Sequence, residues 1–96
     1  MTQQPAPKIH LINTPDYRET YANSVQIRLN LWDFFVMFGR VTQSTPEEVE
    51  IHNFQGVYLS PQQAKALLRL LQQNVGQYEA AFGEINLDAK APGVVQ

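Results

Sequence analysis

The side chains able to carry chemistry in this chain are few, and they stand apart. Its two histidines, His10 and His52, have no His-x-x-x-His or paired-carboxylate spacing around them, so neither reads as part of a metal site. His52 follows Ile51 in a strand-like pattern and reads as a surface or interface side chain. Asp33 has the type of a general acid, but just before Phe34 it suits a hairpin corner. Ser60 has the type of a nucleophile, yet Ser60-Pro61-x-Gln63 is a helix start. Glu47, Glu48 and Glu50 read as a solvated edge. The chain has no cysteine, which removes disulfides, thiolate zinc sites and cysteine nucleophiles together. No Gly-x-Ser-x-Gly, Walker or dinucleotide fingerprint occurs. No nucleophile has a base beside it, so the expectation is a non-enzymatic protein with no cofactor and no metal.

The elements that hold these residues follow from one change of period. From Ser24 to Leu31 the sequence alternates, with Val25, Ile27, Leu29 and Leu31 against polar neighbours, which is the pattern of a half-buried strand. Phe34 to Val41 is aromatic and β-branched, with both phases apolar. Val49 to Leu59 makes a third strand, interrupted at Asn53 and Gln55, with a bulge expected near Gly56. At Ser60 the period turns helical. Ala64, Leu67, Leu68, Leu71, Val75, Tyr78 and Phe82 form one stripe, and Gly83 ends it. Gly76 inside the helix suggests a close backbone approach. The predicted fold class is α+β. A three- to four-stranded antiparallel meander (strands about 22–31, 34–41 and 49–59) precedes one long amphipathic helix, about 61–82, packed on one sheet face.

The 96 residues suit a single domain, read as 17–88. A flexible arm, 1–16, precedes it and holds three of the chain's six prolines, and 89–96 reads as a flexible tail. Ile9 to Ile12 is apolar enough to dock or to add a strand. The net charge of −2 argues against a general nucleic-acid binder. The longest apolar run, Phe34 to Phe38, is far short of the ~20 residues of a membrane span. The N-terminus has no signal-peptide pattern. The expected location is the cytoplasm.

One helix covers one face of a three-stranded sheet. In the expected phases Phe35, Met37, Phe54 and Tyr58 remain on the other face. Burying each is worth about 1.5–3 kcal/mol, a large sum against the ~5–15 kcal/mol that holds a domain together. That face is therefore expected to meet a partner, first a second copy in a homodimer or higher oligomer, otherwise another protein. A sheet with exposed aromatics and arginines also resembles a stacking surface for single-stranded nucleic acid, although the negative charge makes that partner unlikely.

Several short pieces recur in a connected order: Tyr21-Ala22-Asn23, Asp33-Phe34, Phe38-Gly39, Leu59-Ser60-Pro61, Ala64-Lys65, Tyr78-Glu79 and Phe82-Gly83. In this order they resemble a small bacterial family described as domain of unknown function 3467, from about Tyr21 to Ile85. Where that family often has an acidic residue this chain has Met37, and Leu31-Trp32 replaces a frequent Ser/Thr-Pro. Both changes make this chain more apolar. The resemblance implies no activity, cofactor or catalytic residue. The strands-then-helix order is also similar to the export chaperone SecB, an analogy of fold that implies a holdase for unfolded segments.

Overall fold

A computed structural model describes residues 5–87. Three strands, β1 (Ser24–Leu29), β2 (Phe34–Ser44) and β3 (Val49–Leu59), form an antiparallel sheet in the order β1-β2-β3, followed by one helix, α1 (Pro61–Phe82). This is the expected α+β order.

Local chemistry explains the boundaries. β1 is shorter than its alternation suggested because its flanking asparagines do other work. The Asn30 side-chain oxygen accepts from the Trp32 and Asp33 amides at 2.8 and 3.0 Å, an Asx turn that closes the first hairpin without Asn-Gly. At the other end the Asn23 side chain accepts from the Val41 amide at 2.8 Å. β2 is longer than expected and runs to Ser44, so the first residues of the polar stretch before Glu48 are strand and the rest form the turn. Thr45 makes the second turn, its hydroxyl accepting from the Glu48 amide at 3.0 Å.

The register sets two faces. Leu29–Phe34–Leu59, Ile27–Val36–Val57 and Val25–Phe38–Gln55 are rows across one face. Arg28–Phe35–Tyr58 and Gln26–Met37–Gly56 are rows across the other. The bulge does not fall at Gly56. Phe38 pairs with Gln55 and Gly39 with Asn53, which leaves Phe54 as the extra residue. A second shift leaves Thr42 without a partner residue. Gly56 is needed for another reason, since a β-carbon there would lie 2.6 Å from Cζ of Phe35. Gly39 is tighter still: its β-carbon would meet the Asn53 side-chain oxygen at 2.6 Å and the His52 carbonyl at 3.0 Å. Gly39→Ala is therefore expected to cost about 1–3 kcal/mol as overpacking, read by urea unfolding at fixed concentration.

The arm does not cover the sheet. Ile9 to Ile12 forms no strand, and Leu11 is 93% exposed. Arg40 holds the segment between the arm and β1, its guanidinium donating to the Tyr21 carbonyl at 3.0 Å and to the Thr20 hydroxyl at 2.6 Å. The proposed tail, 89–96, lies outside the described residues.

The helix also departs from expectation, and this is the main structural finding. It begins one residue after β3 ends, with only Ser60 between. Typical connections between elements take about 4–6 residues, and one residue leaves no length to turn the helix back across the strands. Its main contact with the sheet is alongside β3. The expected packing over the face is thus incomplete. Among the described residues the one buried hydrophobic side chain is Val36, at 6% exposure, while Ile27 stays 60% exposed and Leu71 52%. The radius of gyration is 17.6 Å, against about 12–13 Å for a compact chain of this length.

Candidate interaction surface

Ser60 fixes where the helix starts and so where the apolar surfaces diverge. Its backbone is extended (φ −62°, ψ 155°) and its hydroxyl accepts from the Gln63 amide at 3.1 Å. Pro61 at the first helical position loses nothing, because that amide has no partner inside a helix. Ser60→Ala is expected to lower stability by about 1 kcal/mol through loss of the cap, with Ser60→Asp keeping most of it in thermal melts. At the far end Gly83 adopts φ 105° and donates to the Glu79 carbonyl at 2.9 Å. One Glu79 carboxylate oxygen accepts from the Ile85 amide at 2.8 Å.

Between the first half of α1 and the sheet lies an open groove of about 570 Å³. The sheet supplies Ile27, Phe34, Val36 and Leu59, and the helix supplies Ala64, Leu67, Leu68 and Leu71. Lys65 is the one charged residue in its wall. The second half of the stripe continues beyond the groove. Tyr78 and Phe82 stack on each other with ring centroids 5.0 Å apart, and Phe82 remains 76% exposed. The sequence had assigned this stripe to the chain's own sheet. What it missed is the open gap, and the signal for it was the single-residue link at Ser60.

The opposite face brings together three of the four residues expected at an interface. Phe35 and Tyr58 stack at 4.5 Å between centroids, and the Arg28 guanidinium lies 4.9 Å above the Phe35 ring. Met37 is in the next row, its sulfur 3.9 Å from the Asn53 side-chain nitrogen. Phe54 is set apart from them by the bulge. Its ring lies 4.3 Å under the Arg40 guanidinium, beside a polar cavity that includes Asp16, Arg18 and Thr20.

The residues with chemical potential are dispersed. Asp33 accepts from the Asn30 side-chain amide at 3.2 Å. His52 and Glu50 are 2.6 Å apart on the exposed strand. Arg28 lies over the Phe35 ring, Asp33 closes the first hairpin turn and His52 sits beside Glu50. The Thr14 hydroxyl bond lowers the Asp16 carboxyl below its ordinary value, and the Tyr17 phenol, donating to Glu19, is raised; both are exposed turn contacts. Among the described residues no cluster of three or more His, Asp or Glu side chains forms a metal site, and no helix is long and apolar enough to cross a membrane.

A family model described as "Protein of unknown function (DUF3467)" matches residues 1–87 of this chain. No curated protein and no solved structure matches it.

Proposed function

Since the chain belongs to the DUF3467 family of proteins of unknown function, we propose that it is a non-enzymatic protein–protein interaction module that exists as a homodimer or higher oligomer. The observation that carries this is the exposure of its apolar side chains. Among the described residues one hydrophobic side chain is buried, while Ile27, Leu29, Leu68, Leu71, Val75 and Tyr78 are between 39% and 71% exposed. A domain needs about 5–15 kcal/mol of net stability, and small chains with thin cores reach it by association. A standard contact takes about 800 Å² from each partner, and the groove with the exposed helix stripe is the apolar surface on offer for it. A cytoplasmic setting is part of the proposal, supported by a chain without cysteine.

The patch at Phe35, Met37 and Tyr58 is a second, smaller contact surface, open to another protein after the groove is closed; Phe54, under Arg40, is peripheral to it. Light scattering on the eluted protein tests the reading. It should give a mass of at least twice 10.9 kDa. A cooperatively folded particle of 10.9 kDa contradicts it.

A holdase reading draws on the same groove, whose walls are almost wholly apolar. It requires the groove to be free in the oligomer, so the protein should suppress aggregation of an unfolded client at molar excess. Absence of suppression removes it. Against the single-stranded nucleic-acid reading stands the net charge of −2, since phosphate binding calls for a basic surface.

A further inference from the structure

Along α1 the residues Lys65, Leu68, Gln72, Val75 and Glu79 recur at intervals of three and four. The intervals are those of a line along which two helices pack lengthwise, here with Leu68 and Val75 apolar and Lys65, Gln72 and Glu79 polar between and beyond them. Lys65 and Leu68 already face the open groove. Val75 and Glu79 continue the same line toward the end of the helix, past the last residue that lines the groove.

The charges on this seam have a direction. The helix carries three charged residues, Lys65 and Arg69 in its first half and Glu79 in its second. Its first turn has no acidic residue and its last turn no basic one. For an isolated helix this order runs against the macrodipole, which favours acid near the start and base near the end. A helix running the other way compensates this order. A two-fold axis at Gln72 sets Lys65 opposite the second copy's Glu79, and Leu68 opposite its Val75. A parallel pair sets lysine on lysine and glutamate on glutamate. Glu79 has the capacity for this contact, since one carboxylate oxygen serves the Ile85 amide and the other is available.

We propose that the occupant of the groove is the α1 helix of a second copy, seated antiparallel about Gln72, with its second half filling the partner's groove reciprocally. This rests on the self-association reading above and names its geometry. Each copy contributes a sheet with half a lid and a half-helix with no sheet beneath it, and one symmetric contact satisfies both. Gly76, which has nothing within 4 Å of its β-carbon position in its own chain, falls near the second copy's Leu68 and leaves room for it.

The chain has no cysteine, so introduced thiols report cleanly. Gln72→Cys should form a disulfide with its own copy on mild oxidation, because the axis brings the two α-carbons to roughly 4–7 Å. Lys65→Cys and Glu79→Cys should each fail alone and cross-link when mixed. In parallel, Lys65→Glu should weaken association by about tenfold or more through like charge, and Lys65→Glu with Glu79→Lys should restore it. Self-linking of Lys65→Cys overturns the antiparallel geometry while leaving association intact. An oligomer that links at none of these positions and ignores the charge reversal moves the contact to another surface. A monomeric mass for the unmodified chain removes the underlying reading itself.

Discussion

Leu71→Glu is expected to abolish self-association and the cooperative fold with it. Leu71 lies in the wall of the groove and is half exposed in the single chain. If the chain worked alone, a carboxylate there would face water and cost within about 0.5 kcal/mol, as for ordinary surface substitutions. In a closed groove the same change loses about 1.5–3 kcal/mol of leucine burial and adds an unpaired buried charge. Two-fold symmetry applies the loss twice. The total is about 6 kcal/mol or more, on the order of 10⁴ in the dissociation constant. Gln73→Glu is the control, since Gln73 lies on the helix surface away from the groove, and its effect should be near zero. Light scattering and far-ultraviolet circular dichroism on both variants read the difference. A folded, fully associated Leu71→Glu protein removes the groove from the interface.

Phe35→Ala is expected to cost about 2–4 kcal/mol without changing the type of oligomer. Phe35 anchors the opposite face by stacking on Tyr58 and lying under Arg28. An aromatic pair is worth about 0.5–1.5 kcal/mol beyond its buried area, and the cation–π contact about 0.5–1 kcal/mol. Loss of ring burial supplies the rest. The gap is not refilled, because Gly56, across from it, has no side chain to move in. Denaturant unfolding at constant protein concentration measures the cost. A double cycle with Tyr58→Ala isolates the stack, and no coupling between the two would show that the rings act independently.

The legible parts of this fold were those decided by neighbours in sequence. Ser60 and Pro61 mark the helix start because capping needs only the next three residues, and Gly83 marks its end because its φ of 105° suits glycine. The two apolar phases of β2 were visible because alternation is local. What was not legible depended on register between strands. Phe54 shares the alternation of Phe35 and Met37 on paper, but the bulge between Gln55 and Asn53 sets it with Arg40 instead. β1 stopped short because Asn23 and Asn30 bond to the backbone of other residues. The stripe on α1 announces an apolar surface that some contact would cover. Nothing in its period says whether the other side of that contact is the chain's own sheet or a second copy. Counting surfaces in the sequence put the uncovered apolar area on the far face, and it did not foresee the open groove between helix and sheet.

The most direct test is a dilution series from about 100 to 0.1 micromolar, followed by sedimentation velocity and circular dichroism on the same samples. Folding and association are one transition in this account, so loss of the oligomer and loss of helix and strand signal should share one midpoint. That midpoint should shift with concentration under denaturant as mass action requires. A 10.9 kDa species that keeps its full helix and strand signal, with a melting temperature independent of concentration, contradicts it.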